Sequence, residues 1–301
     1  MNSIEEHDFV SVFRGTRAGS LEFGLVLEAK GIPYQSIALE HEWILAVTSD
    51  LAAQARDELE RYAEERVVKR ERAPSIVPFD GAGLGAIGYA FVLLVVAYCA
   101  GANLFTADWF SIGAVDASRP ENQQWWRAFT ALSLHAGPEH LFGNLFFGIV
   151  AGGLCSRLLG PGVAWMSILL AAAGANLLEQ WIAPIGHRAV GASTAVFAAL
   201  GLLAGYAWRQ RLSLRERWLY RWAPLIAGAS LLSLLGAGEG TEHVDVLGHL
   251  LGFLAGLGCG WVYAVAGMPR SRSVGLQIGA GALAVGLLSG AWALALCFGR
   301  S

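Results

Sequence analysis

The sequence predicts a polytopic α-helical membrane protein carrying a small N-terminal α+β domain, and three observations lead there. The 301 residues are 55% hydrophobic and only 15% charged, with a mean hydropathy of +0.48, where soluble domains carry about a quarter charged residues. The charge is also uneven: residues 1–80 hold 15 acids and 9 bases, leaving 9 acids and 12 bases for the other 221 positions. Beyond residue 80, apolar segments recur at the length of about 20 residues that a helix needs to cross a bilayer core.

The head, residues 1–72, reads as βαββα. Asp8-Phe9-Val10-Ser11-Val12-Phe13 alternates like a strand, and residues 18–30 carry apolar positions at helical spacing up to Gly31 and Pro33. Residues 34–39 and 42–47 are two short apolar runs split by Glu40-His41, a hairpin signature. Ser49-Asp50 then caps a helix to about residue 66, with Arg56, Glu60 and Glu64 on its polar face. That order suits a three-stranded sheet with two helices on one face. It holds no catalytic constellation, so a regulatory or docking module is expected. The start, Met1-Asn2-Ser3-Ile4-Glu5-Glu6, lacks the basic and apolar regions of a cleaved signal peptide, so the head is expected in the cytoplasm.

A linker, residues 73–83, contains Pro74 and Pro78. Seven spans follow, near 84–104, 139–159, 162–182, 192–208, 220–236, 245–267 and 274–298. The first six make a core at 84–267, and 268–301 adds the seventh. With the head inside, Arg157, Arg209, Arg211, Arg215, Arg217, Arg221, Arg270 and Arg272 fall on the cytoplasmic side, and Arg119, Arg127, Arg188 and Arg300 outside. Eight against four satisfies the positive-inside rule. The arginine-rich loop can also touch anionic lipid. The connection 105–138, with Trp109, Phe110, Trp125, Trp126 and Phe129, is too long and apolar for a free linker and should embed in the membrane interface beside a site.

Several functions are excluded. A net charge of −3 without a basic tract argues against nucleic acid. Cys99, Cys155, Cys259 and Cys297 all lie in apolar stretches without a CxxC pair, so no disulfide framework, metal site or cofactor is expected. There is no HExxH of a metalloprotease. Paired repeats or mid-membrane charges would suggest a transporter, but the polar residues cluster towards one face instead.

Those intramembrane polar residues carry the chemistry. Ser193, in Gly191-Ala192-Ser193-Thr194, opens span four, where free backbone N–H groups and the positive end of the helix dipole suit a developing oxyanion. His249 lies about one turn inside span six, with Gly252 and Gly256 at i+3 and i+7 on its face. Gly201 and Gly205 repeat the small-residue spacing on span four, so the two spans can cross closely and bring Ser193 within hydrogen-bond reach of His249. His135-Ala136-Gly137-Pro138-Glu139-His140 opens span two. Pro138 suits the first helical position, which sets His140 and Asn144 one turn apart on one face as oxyanion donors. Asp245, one turn before His249, is a candidate to orient it as in a triad. His187 and His243 read as solvated loop residues.

The set Trp126-Arg127, His135-x4-His140-x3-Asn144, Gly191-x-Ser193 and His249-x2-Gly252-x3-Gly256 resembles the rhomboid intramembrane serine proteases over about 84–267, in the family's order. The resemblance implies a six-helix rhomboid core, here with an additional C-terminal transmembrane helix, and a Ser/His dyad that manages without an aspartate. It implies Ser193 as nucleophile, His249 as general base and His140, Asn144 and the Ser193 amide as oxyanion donors. Phe197 matches the aromatic on which the family's histidine packs, Trp126-Arg127 a structural loop motif, and His135 an outer supporting histidine. The implied activity is a serine endopeptidase cleaving transmembrane protein substrates near the outer boundary of a bacterial inner membrane, without cofactor. The alternative is an inactive rhomboid-like protein that binds transmembrane clients. Thr194 departs from the family's usual glycine after the nucleophile, and the seventh span reads as a lipid-facing packing helix.

Overall fold

A computed structural model describes residues 8–39, 42–72, 79, 81–117, 124–213, 222–223, 225–230, 245–266 and 273–299. The chain forms two compact units, residues 1–75 and 76–301, taken here one at a time. The expected turn Glu40-His41, the linker prolines, His243 and most of the span at 220–236 lie outside the described residues, as do Arg119, Arg215, Arg217, Arg221, Arg270, Arg272 and Arg300.

In the first unit the order is β1 (Phe9–Gly15), α1 (Arg17–Ala29), β2 (Gln35–Ala38), β3 (Trp43–Thr48) and α2 (Ala52–Arg72). The strands form one antiparallel sheet in the order β1-β3-β2. Thr16 starts α1 by accepting a hydrogen bond from the Gly19 amide at 3.2 Å, and Gly31, at φ +70°, lets the chain turn away after it. Leu27, Ile32, Leu45, Val47, Ala55 and Leu59 close a core between sheet and helices. Lys30 Nζ lies 2.7 Å from Glu58, which holds that half-buried carboxyl below the usual carboxylate range.

The second unit is helical. Its elements are α3 (Ala82–Gly101), the short α4 (Trp109–Gly113), β4 (Val115–Asp116), α5 (Arg127–Thr130), α6 (Pro138–Leu159), α7 (Pro161–Ile182), β5 (Arg188–Ala189), α8 (Ser193–Ser213), α9 (Val246–Ala266) and α10 (Val274–Phe298). Five of these, α3, α6, α7, α9 and α10, are long and apolar enough to cross a membrane. Helix α8 is 21 residues long but ends in Trp208-Arg209-Gln210-Arg211, which lowers its hydropathy. Residues 225–230 are also helical, and Gly228 sits against the ring of Phe253.

Between α6 and α7 the chain reverses at Gly160, whose φ of +84° is open to glycine, and Pro161 begins the next helix. Such a reversal leaves carbonyls at one helix end and amides at the next start unpaired, which is expensive where water is scarce. Gln277 of α10 serves both: its Nε2 donates to Leu159 O and its Oε1 accepts from the Val163 amide, each at 3.1 Å. The expected lipid-facing seventh helix therefore also has an inward face, on which Ala291, Trp292 and Ala295 are buried.

The described parts of the connection, residues 105–117 and 124–138, are folded rather than loose. Arg127 is fully buried, its Nε donating to Gln124 Oε1 at 2.6 Å and its Nη1 and Nη2 to the carbonyls of Ala114 and Ser111 at 2.8 Å. Thr130 Oγ1 donates to Gly113 O at 2.7 Å. Trp109 packs at 4.5 Å, tilted by 44°, on Trp292, whose indole N–H donates to Ser133 Oγ at 3.0 Å. A guanidinium suits this task because it presents five donors in a fixed plane to carbonyls that helical pairing has left free.

Candidate active site

Helices α8 and α9 cross with their backbones nearly in contact. A Cβ placed on Gly201 or Gly205 would strike the carbonyls of Phe253 or Leu257, and one on Gly252, Gly256 or Gly260 would strike those of Thr194, Ala198 or Leu202. Five glycines on two helices thus remove the side-chain layer that ordinarily separates packed helices by 8–10 Å. The consequence for the site is direct, because Ser193 stands at the first turn of α8 and His249 at the first turn of α9.

His249 is buried, and its ring lies 4.5 Å from that of Phe197, one turn beyond Ser193, tilted by 37°. Its Nδ1 has no hydrogen-bond partner among the described residues. Among the described hydrogen bonds none joins Ser193 to His249. Such contacts are often long or poorly aligned at rest, and it is the crossing that brings the two helix starts together. Thr194, the departure from the family pattern, is accommodated by Gly252: its methyl and carbonyl occupy the space that a side chain there would fill.

The approach to Ser193 is held from three sides. Gly191, at φ +137°, donates its amide to Ala131 O at 2.9 Å. The Ala192 amide points at His135 Nε2, 3.4 Å away. Burial, with the nearby His140, pushes the His135 imidazole down to about 4, so it is neutral near pH 7 and able to accept. Its ring meets His140 edge to face at 5.2 Å.

His140 and Ser193 converge over Gly191: a Cβ there would lie 2.8 Å from His140 Nε2 and 3.3 Å from Ser193 Oγ. The absent side chain leaves a gap bordered by a hydroxyl, an imidazole and the amides of a helix start. Asn144 is buried one turn along α6, where its Nδ2 donates to His140 O at 3.1 Å and its carbonyl accepts from Tyr89 Oη at 2.8 Å. An amide nitrogen carries two hydrogens, so one remains for another acceptor.

The supporting residues expected from sequence are distributed around this centre. Trp126 and Arg127 organise the outer connection. Gly252 and Gly256 lie in the helix crossing.

The expectation for His187 is corrected, and the alternative role weighed for Asp245 gains no support. His187 is not a solvated residue without a partner: its Nε2 is 2.8 Å from Glu179 Oε1 and 3.7 Å from Asp245 Oδ1. Asp245 does not orient His249, because its Oδ1 accepts from the Gly248 amide at 2.8 Å as the cap of α9, facing His187 and Glu179. Glu179, fully buried near the end of α7, went unnoticed in the sequence. Only its position eight residues before His187, inside an apolar span, could have marked it.

Comparison with known proteins gives a consistent pattern. Residues 122–266 match the Rhomboid domain family model. Rhomboid-like protein 11, chloroplastic, of Arabidopsis thaliana is 32% identical over 146 residues, 46% of this chain and 52% of its own length. Rhomboid protease GluP of Bacillus subtilis is 27% identical over 190 residues, 63% of this chain and 36% of its own. Rhomboid-like protease 3 of Toxoplasma gondii is 35% identical over 149 residues, 48% of this chain and 54% of its own. The chain thus spans between about a third and a half of the length of the curated relatives it matches.

Proposed function

From the match of residues 122–266 to the Rhomboid domain family model, we propose that the chain is an intramembrane serine endopeptidase in which Ser193 is the nucleophile and His249 the general base. The observation that supports this reading is the glycine-lined crossing of α8 and α9, with His249 packed on Phe197 one turn after Ser193. His249 takes the Ser193 proton as Oγ attacks the scissile carbonyl. The negative charge gathering on that carbonyl oxygen is met by the Ser193 amide, His140 and the free hydrogen of Asn144. Collapse of the tetrahedral intermediate expels the amine with the proton from His249 and leaves an acyl-enzyme. His249 then removes a proton from water, which attacks the ester and restores the serine.

The substrates in this reading are transmembrane segments whose helix opens near the outer boundary, where Gly, Pro or small residues weaken it. A helical carbonyl is hydrogen-bonded and shielded, so it must be freed before attack. The layout that accompanies this function is a cytoplasmic domain at 1–72, a linker at 73–83, a six-helix protease core at 84–267 and an additional spanning helix at 268–301. The N-terminus faces the cytoplasm and the site opens outward. The location in this reading is a bacterial plasma membrane.

The test is labelling and cleavage in detergent. The wild-type protein should react with a fluorophosphonate probe and cut a model transmembrane substrate, and Ser193→Ala should lose both. Cleavage that survives Ser193→Ala overturns the nucleophile assignment. A folded wild-type protein that neither labels nor cleaves would make the chain an inactive relative that binds transmembrane clients.

A further inference from the structure

We propose that Glu179, His187 and Asp245 form a binding site for a divalent transition cation of the zinc type, separate from the Ser193 and His249 pair. The three come from different elements: the end of α7, the turn before β5 and the residue capping α9. One ligand atom from each lies within 4.8 Å of the others. His187 Nε2 is 2.8 Å from Glu179 Oε1 and 3.7 Å from Asp245 Oδ1. Ligand atoms around tetrahedral zinc stand about 3.3 Å apart, given metal–ligand bonds of roughly 2.0–2.2 Å. The side chains therefore need only small adjustments to enclose an ion.

A second observation independently points to a ligand. The Glu179 side chain is fully buried, and its Oε2 has no hydrogen-bond partner among the described residues. This oxygen is aimed into the cluster: a Cβ placed on Gly248 would lie 3.0 Å from Glu179 Oε2 and would strike Asp245 Oδ2. The glycine leaves room for two carboxylates to share one small volume. Among the described residues no lysine or arginine pairs with either carboxylate; Arg188, the nearest in sequence, lies against Asp116 instead. A fully buried carboxyl beside a partly buried one, with no lysine or arginine partner, is costly, and an ion held by both removes the cost.

The ligand chemistry narrows the ion. One imidazole with two carboxylates suits zinc and its neighbours in the transition series, whereas calcium and magnesium prefer shells made only of oxygen. The ion has a route in, since the His187 side chain is 27% exposed and that of Asp245 14%. It would join the turn that leads to Ser193 with the turn that leads to His249, clamping the two helix starts at their outer ends. It touches neither the hydroxyl nor the imidazole that does the chemistry, so its role is to position.

The experiment uses tag-free full-length protein in detergent, stripped with EDTA, dialysed and titrated with zinc chloride at pH 7.5 by calorimetry and by thermal unfolding. The expected result is one zinc per chain at a Kd of micromolar or tighter, with a rise of several degrees in Tm. His187→Ala, a change on a partly exposed turn, should weaken binding at least tenfold and remove the Tm rise. Glu179→Gln should do the same while the metal-free protein keeps its fold. Absence of zinc binding by folded wild-type protein overturns the proposal. Binding unchanged in His187→Ala would assign the zinc to other histidines and equally overturn it, as would calcium binding as tightly as zinc.

Discussion

The carbonyl of Ala198 on α8 lies where a Cβ of Gly256 on α9 would have to stand. The obstacle is backbone, which cannot swing aside as the end of a flexible side chain can. Two residues along the same helix, Gly258 has nothing within 4 Å of the equivalent position. Gly256→Ala should therefore force the helices apart and lower stability by about 1–3 kcal/mol, with loss of most activity. Gly258→Ala should change neither by more than a fraction of that. Thermal unfolding and substrate cleavage of both variants test the contrast, and equal behaviour would count against the crossing.

Phe197 gives His249 a wall as well as a neighbour. Phe197→Leu retains much of the apolar volume but loses the ring contact, worth about 0.5–1.5 kcal/mol for an aromatic pair. The expected result is a fall in kcat of about 2- to 10-fold with little change in KM. A change confined to KM would mean that Phe197 lines the substrate path instead.

Arg127→Lys keeps the charge and should still fail. One ammonium cannot reproduce the planar set of bonds to Gln124, Ala114 and Ser111. Leaving buried polar groups unsatisfied costs about 1–3 kcal/mol each, so a drop in Tm of several degrees is expected, together with faster proteolysis of the 109–117 segment.

Gln277→Ala should uncover Leu159 O and the Val163 amide at the α6–α7 reversal. On the same scale of about 1–3 kcal/mol per orphaned group, the variant should lose stability measurably. Its activity per folded molecule should stay near normal, since Gln277 takes no part in the chemistry. Full stability would show that another donor and acceptor replace it.

His135 supplies a pH dependence. Its imidazole is held down to about 4 against an ordinary 6.5, so the unfolded chain takes up a proton first as pH falls. The group's neutral form therefore favours the fold fully above about 6.5, and that contribution is lost progressively as the pH drops towards 4. Protonation would also turn the acceptor facing the Ala192 amide into a donor. Thermal unfolding should fall more steeply between pH 6.5 and 4 for the wild type than for His135→Gln; parallel curves would contradict the assignment.

Some of this was readable from residue order and some was not. The glycines of α9 stand at spacings of four, and a period in the sequence becomes a line on a helix surface, so the crossing could be foreseen. The break at Gly160-Pro161 was equally visible, because both residues act locally on the chain. The roles of Arg127 and Gln277 were hidden, since their partners are backbone carbonyls and amides, which every residue possesses. His187 was misjudged for a related reason: its neighbours lie 8 and 58 positions away, and only the packing of α7 beside α9 gathers them. Ser193 and His249 stood out through the apolar setting around each, but no spacing rule could reveal that their hydrogen bond is unformed at rest.

The two-residue ribbon β4–β5 pairs Val115 with Ala189 and Asp116 with Arg188. Beyond Ala189 only three residues precede Ser193, a stretch too short to absorb a displacement, at about 3.3–3.6 Å per extended residue. The 105–138 connection and the proposed nucleophile Ser193 are therefore one lever, with its grip at the 109–117 end. A substitution inside that mostly buried segment would therefore be felt at Ser193 through the ribbon, without touching the gap above Gly191.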